Sequence, residues 1–226
     1  MASVLIHAAD ESVTLTARAV QGLLERGDGD AALLYLHFAA GRPLENAREA
    51  LLHALREMLR LRYALLPYLY SEFMKSALEN TGYFRPLGFD WPADPEAREV
   101  QDQLLLGDGV MVAPVYTQNA SGRHVYLPEP MKLYRIRSVD DCDTELLPAG
   151  HHYIRCALDE VLLFIRPGHV VPVAKPASCT AQLDEADLTL WACPDESRNA
   201  VCRIYTDDGE TSDYAAPEHW KTLELK

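Results

Sequence analysis

The pattern of apolar residues changes abruptly after Asn80-Thr81-Gly82, and this change constrains the fold more than any other feature of the chain. Before it, residues 44–78 carry apolar side chains at the spacing of an amphipathic helix. After it, short apolar runs alternate with turns rich in Gly, Asp and Pro, which is typical of β-strands. The sequence therefore predicts an α+β protein with a helical segment at 1–82 and a β region at 83–226.

The helical segment contains one long apolar stripe. A shorter helix is predicted from Asp10 or Ser12 to about Arg26. Pro67 has no amide proton to donate to Tyr63, so a kink is expected there. Arg62 lies on the stripe, so we expect a buried guanidinium with a carboxylate or carbonyl partner. The stripe consists of Leu51, Leu55, Met58, Leu59, Leu66, Leu69 and Phe73.

The β region predicts an antiparallel β-sandwich, because many short strands follow one another at regular spacing. We divide it into a proximal sandwich at 83–175 and a terminal acidic β-hairpin segment at 176–226. The last two predicted strands are expected to form a hairpin. Strands are predicted at 104–106, 110–115, 124–127, 132–136, 152–156, 162–166, 170–173, 188–193 and 201–206.

Charge and cysteine content restrict the partners and the compartment. The formal net charge of −13 disfavours nucleic acid and anionic membranes as partners. No apolar run approaches transmembrane length. The five cysteines are odd in number and form no C-x-x-C pair, which indicates reduced thiols in a cytoplasmic protein. A disulfide between Cys193 and Cys202 across the expected hairpin is the less favoured alternative.

Several motifs, in their order and spacing, resemble the C-terminal part of a glycoside hydrolase of family 31, an α-glucosidase-like enzyme. The resemblance implies that 44–80 corresponds to the last helix of a (β/α)8 barrel and that a C-terminal β-sandwich follows it. The first 82 residues would then include a remnant of the end of that barrel. The motifs are Arg62 to Tyr70, Phe84-Arg85-Pro86-Leu87, Gln103 to Asp108, Ala113-Pro114-Val115, Arg123 to Pro128, and Tyr205 to Gly209 with Asp213-Tyr214.

The resemblance also implies a parent activity, the retaining hydrolysis of α-glucosides by two carboxylates. The family carries those carboxylates earlier, inside the barrel. This chain is too short for the barrel, and no segment reads like the family's nucleophile strand. We therefore expect a structural part of such an enzyme, with no catalytic residue, cofactor or metal, for which an α-glucoside is a substrate only in the full enzyme. The alternatives are a free-standing carbohydrate-binding or protein-interaction module and an unrelated enzyme.

Few individual residues are candidates for binding. The family has a histidine in an Arg-x-His setting at the end of its last barrel strand, and His37 lies at a suitable distance but lacks the arginine. His37 is thus the one substrate-binding candidate, although a structural role is favoured. The adjacent His151 and His152 alternate between strand faces and are predicted to be structural. Trp91, Trp191 and Trp220 are expected to pack rather than stack on sugars. The apolar stripe also predicts a homodimer through the 44–80 helix.

Overall fold

The computed structural model describes residues 44–226 apart from 118–119, 158, 178 and 185, with the backbone alone for 44–51 and 181. The chain divides into two compact units, Met1–Met58 and Leu59–Lys226, and the features below lie in the second apart from residues 44–58 of the first helix. Helix α1 spans Leu44–Ala64 and helix α2 spans Leu66–Glu79. The two helices are separated at Leu65, two residues before Pro67, which has no amide proton to donate to Tyr63.

Two short α-helices, two 3-10 turns and twelve strands follow α2 in the described part of the chain. The helices are α3 (Leu87–Asp90) and α4 (Pro95–Glu99). The strands are β1 (Phe84–Pro86), β2 (Leu104–Leu106), β3 (Val110–Val112), β4 (Gly122–Leu127), β5 (Met131–Ser138), β6 (Asp141–Leu147), β7 (Gly150–Arg155), β8 (Val161–Ile165), β9 (His169–Ala174), β10 (Leu188–Cys193), β11 (Ala200–Tyr205) and β12 (Trp220–Leu225). Each of the nine predicted strands is present, and β1, β6 and β12 are additional.

The strands form three mostly antiparallel sheets. One sheet has six strands in the order β1-β2-β3-β8-β5-β6, and a second has four in the order β10-β9-β11-β12. Strands β4 and β7 form a separate two-stranded ribbon. Within the four-stranded sheet, β9 and β11 are the parallel pair. The described fold is thus a layered β-structure of the sandwich type, with helices packed on both faces of the six-stranded sheet.

The hairpin predicted for the last two expected strands is wrong. Strand β9 lies between β10 and β11, so that His169 is the register partner of both Cys193 and Val201. The physical reason is that β9 is buried along almost its whole length and needs a neighbour on each side. The terminal hairpin consists instead of β11 and β12, in which Tyr205 pairs with Trp220.

The six-stranded sheet is the central layer, because a core packs against each of its faces. On one face it meets the β4–β7 ribbon with α3 and α4; on the other it meets the helices and the four-stranded sheet. The first core contains Leu87, Ala97, Leu105, Met111, Val125, Leu127, Leu133, Ile154 and Phe164. The second contains Leu61, Ala64, Tyr68, Val110, Tyr134, Ile165, Val171 and Trp191.

The helices bury a different face from the one that the apolar stripe suggested. Leu61, Ala64 and Tyr68 pack into the second core. Leu59 is 58% exposed and Phe73 is 53% exposed. Arg62 is also exposed, so the expectation that it is buried is wrong. The reason is that the period of the apolar residues identifies an apolar face of the helix but does not say what packs against it. The sandwich packs against the face that carries Leu61 and Tyr68, which is rotated by about 100°, or one residue, from the face that carries the stripe.

The outer row, as we call it, consists of Leu59, Arg62, Leu66 and Phe73; Leu66 is half-buried and the other three are exposed. Their spacing of three, four and seven residues places them on one helical face. Backbone hydrogen bonds from Leu65 to Leu61 and from Leu69 to Leu65 keep helical geometry across the break. In the described region, no helix is both long enough and apolar enough to cross a bilayer.

Candidate functional site

A connected polar region lies where α2 meets the sheets. Tyr68 is buried at its centre, where its hydroxyl donates to the Leu106 carbonyl at 2.6 Å and accepts from the Gly109 amide at 3.1 Å. Burial raises the pKa of Tyr68 well above its usual range, and the nearby charge of Glu72 adds to this rise. Tyr68 therefore joins the helix to the β2–β3 turn as a neutral hydroxyl.

A second contact joins α2 to the four-stranded sheet. The buried Ser71 hydroxyl donates to the Pro67 carbonyl and accepts the Tyr205 amide at 2.8 Å. Pro67 cannot use its own nitrogen as a donor, but its carbonyl is satisfied here. The first turn of α2 is thus connected to β11 through a side chain that has both its donor and its acceptor in use.

Glu72 is the partly buried acid of this region. Its Oε2 atom accepts the Asp108 amide at 2.9 Å. Burial, followed by the negative charge of Asp108, raises the pKa of Glu72, and the charge of Lys75 offsets part of the rise. For Asp108, burial acts in the same direction but is outweighed by a hydrogen bond from Lys75, so its pKa is lowered. The pKa values of these two neighbouring carboxyl groups are thus shifted in opposite directions.

A network of two arginines surrounds Asp90, at the end of α3. Arg85 donates to both oxygens of Asp90, at 2.9 Å and 3.2 Å, and Arg166 donates to Oδ2 at 2.7 Å. Arg166 also donates to Glu129 at 2.8 Å and lies 4.5 Å from the centre of the Trp91 ring. Burial opposes ionisation of Asp90, but the hydrogen bonds from Arg85 and Arg166 outweigh it and lower its pKa.

This arrangement is suited to holding elements together. Arg85 also reaches Asp108 at 3.2 Å, so that it connects the Asp90 network to the Glu72 pair. Each carboxylate named above accepts from a cation or from a backbone amide, which satisfies its charge within the protein. No group of three or more metal-ligating side chains with metal-site geometry occurs among the described residues. The network fixes α2, α3 and the β2–β3 turn relative to one another.

The candidates from the sequence are dispersed. His37, the predicted substrate contact, lies outside the described residues. His151 and His152 occupy opposite faces of β7, as predicted: His151 contacts Glu96 at 2.5 Å, and His152 Nε2 lies 2.8 Å from the Pro148 carbonyl oxygen. Sequence reasoning missed the Asp90 network altogether. The signal that the sequence offered was Arg85, which belongs to the Phe84-Arg85-Pro86-Leu87 motif.

The tryptophans and cysteines have structural surroundings. Trp191 is buried and stacks on Tyr134 at 5.2 Å, and Trp220 lies under Arg203 at 4.3 Å. All five cysteines are free thiols. A disulfide between Cys193 and Cys202 is excluded in this fold, because β9 separates the strands that carry them. Burial, followed by the charge of Glu72, raises the pKa of Cys202 to about 11, so this thiol is protonated and unreactive at neutral pH.

Comparison with known families decides what this sandwich is. Residues 80–171 match the family model described as "Glycosyl hydrolase family 31 C-terminal domain". These residues are a family 31 C-terminal domain. The matched range begins at the end of α2 and runs into β9, so it contains the whole six-stranded sheet and the Asp90 network.

Curated relatives extend the similarity to about seven tenths of the chain. Neutral alpha-glucosidase AB of Mus musculus is 30% identical over 171 residues, which are 71% of this chain and 17% of the relative. Alpha-glucosidase 2 of Bacillus thermoamyloliquefaciens is 29% identical over 161 residues, 71% of this chain and 20% of the relative. The chain thus spans about a fifth of the length of the curated relatives it matches.

Solved structures share the fold. A GH31 dextranase of Flavobacterium johnsoniae superposes with a TM-score of 0.59 at 22% identity, covering 83% of this chain and 22% of that one. The ER glucosidase II heterodimeric complex gives 0.64 at 22% identity, covering 84% and 20%. A GH31 alpha-xylosidase of Xanthomonas citri gives 0.54 at 28% identity, covering 69% and 16%. The described fold is therefore shared with a part of each of these much longer chains.

Proposed function

We propose that this chain is the C-terminal structural part of a family 31 glycoside hydrolase whose parent activity is the retaining hydrolysis of α-glucosides. The observation that carries the proposal is the family match together with the coverage of the relatives: the aligned part of this chain accounts for about a fifth of each relative. The relatives are named as α-glucosidases, which supports the substrate class for the parent enzyme. The family 31 domain contributes support, and the reacting carboxylates belong to another part of the parent.

The state of the acids in the described region supports this division of labour. A retaining glycosidase needs two carboxyl groups about 5–5.5 Å apart, one free to attack and one free to deliver a proton. Asp90, Asp108 and Glu129 instead accept charge-assisted hydrogen bonds from arginine or lysine. Glu72 has a raised pKa, as a general acid would, but it accepts a backbone amide at the helix–sheet junction. These acids are used to hold the fold together.

The supporting role follows from where the network lies. In a barrel enzyme the catalytic loops keep their geometry only if the elements beneath them are held by a rigid second layer. Here α2 is joined to the β2–β3 turn through Tyr68 and Glu72 and to β11 through Ser71. On this proposal, 44–80 is the last barrel helix, and the sandwich behind it holds that helix in place.

An assay of the purified chain tests the proposal. We expect no hydrolysis of an aryl α-glucoside above the buffer rate, under conditions in which alpha-glucosidase 2 of Bacillus thermoamyloliquefaciens is active. Hydrolysis that co-purifies with the chain through two columns and is blocked by an α-glucosidase inhibitor would refute the structural role. A substitution series among the acids of 176–226 would then locate the reacting carboxylates.

A further inference from the structure

A buried nitrogen atom without a hydrogen-bond partner lies where the loop of residues 207–216, which we call the acidic loop, leads into β12. The atom is Nε2 of His219, in the short 3-10 turn Pro217–His219, and the side chain is only 15% exposed. Among the described side chains, this is the buried nitrogen or oxygen atom that no hydrogen bond satisfies. A buried polar atom of this kind costs free energy unless it gains a partner, so its surroundings indicate how the ring is used.

The other ring nitrogen of His219 fixes its tautomer. Nδ1 lies 2.9 Å from the Thr206 carbonyl oxygen, which can only accept a hydrogen bond. Nδ1 therefore carries the proton of the neutral ring, and Nε2 is left with a lone pair. The Asp213 Oδ1 atom, a second acceptor, lies 3.6 Å from Nε2. The neutral ring thus places two acceptors next to each other in a buried position.

A proton on Nε2 removes this conflict. The imidazolium ring has a donor on each nitrogen, one for the Thr206 carbonyl and one for Asp213. A water between Nε2 and Oδ1 would hold the two atoms about 4.5 Å apart, since each of its hydrogen bonds would be about 2.8 Å long. The separation of 3.6 Å is too short for such a bridge and fits a direct ion pair between the ring and the carboxylate.

The other titratable groups around His219 are acids and tyrosines. Helix α2 contributes Tyr70, whose hydroxyl donates to Asp207 at 2.7 Å, and β11 contributes Tyr205, whose ring centre lies 5.4 Å from that of His219. Burial, followed by Asp207, raises the pKa of both tyrosines to about 12, so both hydroxyls are neutral. In the described part of the chain, no lysine or arginine forms an ion pair with a carboxylate of the acidic loop, so a proton on His219 gives this loop a cation with which to pair. These carboxylates are Asp207, Asp208, Glu210 and Asp213, and the charged residues next to His219 in sequence, Glu218 and Lys221, are exposed.

Asp213 connects the charge of His219 to the rest of the acidic loop. Its Oδ1 atom accepts from the Thr211 hydroxyl at 2.6 Å, and its carbonyl accepts the Ala216 amide at 2.8 Å. The hydrogen bond from Thr211 lowers the pKa of Asp213, and the nearby His219 adds to this effect, so the carboxyl group is ionised at neutral pH. An ion pair between His219 and Asp213 would therefore hold the acidic loop against the start of β12.

We propose that the acidic loop is held to β12 by a pH-dependent ion pair, in which His219 is the group that gains and loses the proton. Histidine is the side chain whose charge ordinarily changes between pH 5 and pH 8. At the acidic end of this range the ring binds Thr206 and Asp213 together. At the alkaline end it keeps the contact with Thr206, while its lone pair repels the Asp213 carboxylate, so the loop is released at Asp213. The inference concerns the chain itself and does not depend on the parent activity.

NMR spectroscopy of the full chain, with 15N in the histidine rings, tests the protonation directly. We expect the His219 ring to carry its proton on Nδ1 at pH 8.5 and to carry protons on both nitrogens at pH 5. A neutral ring with its proton on Nε2 at pH 8.5, or a ring whose charge is the same at both pH values, would overturn the proposal. The signal is assigned on the unmodified chain, so this result does not depend on how any variant folds.

Hydrogen exchange at the Ala216 amide measures whether the loop follows the proton. After correction for the intrinsic exchange rate, we expect protection at pH 5 to exceed that at pH 8.5 by at least about threefold, the effect of one partly exposed ion pair. Asp213→Asn should abolish or reverse this difference, because its amide has no charge and can donate to the unprotonated Nε2. The matched control is Glu218→Gln, which removes an exposed charge next to His219 and should keep the difference. Equal protection at both pH values in the unmodified chain, or the same increase at pH 5 in Asp213→Asn, would overturn the proposal.

Discussion

Replacing Asp90 by Asn is the most direct test of the arginine network. The substitution keeps the shape of the side chain but removes its charge and turns one acceptor into an amide donor. Arg85 and Arg166, whose side chains are 13% and 15% exposed, would then face that donor. Two cations that share one carboxylate would lose it together.

The size of the effect follows from how much of the network survives. Breaking a fully buried ion pair costs about 3–5 kcal/mol. Here Asp90 is 20% exposed, Arg85 keeps Asp108 and Arg166 keeps Glu129, which leaves both cations partly compensated. We therefore expect a loss of about 2–3 kcal/mol, because these remaining contacts and the partial exposure reduce the penalty. For a chain of this length, that corresponds to a melting temperature lower by about 4–12 °C.

Thermal and urea unfolding at several pH values measure this loss. The lowered pKa of Asp90 means that its contribution is fully present above the unfolded value of about 3.9 and disappears as pH falls through the lower folded value. The difference in unfolding free energy between the unmodified chain and Asp90→Asn should therefore disappear at acidic pH. Asp102→Asn is the control, since Asp102 pairs with Arg123 but is 42% exposed, and it should cost at most about 1 kcal/mol. If Asp90→Asn and Asp102→Asn lose the same unfolding free energy, burial does not make the Asp90 network stronger than an exposed ion pair, and the reasoning is refuted.

Two further predictions concern the β2–β3 turn. Gly107 has φ of +64°, and a methyl group there would collide with the Glu72 side chain, so Gly107→Ala should cost about 2 kcal/mol or more in urea unfolding. Gly209→Ala, at φ +67° with open space around it, should cost only the backbone strain of about 1–2 kcal/mol, and equal losses would show that the collision is relieved without cost. Burial and the charge of Asp108 raise the pKa of Glu72, so its ionisation weakens the fold as pH rises through the folded value. Glu72→Gln should therefore melt higher than the unmodified chain at pH 8 and show no gain at pH 4; a difference independent of pH would contradict this.

The sequence predicted the elements whose signals are local. Helix α2 and the nine expected strands have apolar residues at the period of their own secondary structure, and Pro67 marks the helix break by itself. The additional strands β6 and β12 are edge strands with mostly exposed side chains, so they lack the alternation that burial produces. Strand β1 is three residues long and ends in Pro86, which reads as a turn.

Features that depend on distant residues were not predictable in the same way. Asp90 and Arg166 are separated by 76 residues, and neither is distinguished from other surface charges by its neighbours in sequence. Arg62 was assigned to the buried face because the helical period identifies an apolar face without saying what packs on it. Cys193 and Cys202 looked like hairpin partners because the insertion of β9 between their strands leaves no local trace.

The position of β9 has a consequence for biosynthesis. Both of its neighbours, β10 and β11, come later in the chain. The amide that donates to Ser71, that of Tyr205, is 134 residues further along the chain. During translation, β9 therefore emerges from the ribosome with two unpaired edges and a run of buried-type side chains, while α2 lacks its contact with β11. Unpaired strand edges in an incomplete chain are prone to aggregation. The nascent protein is thus exposed to aggregation between the emergence of residue 174 and the emergence of residue 205.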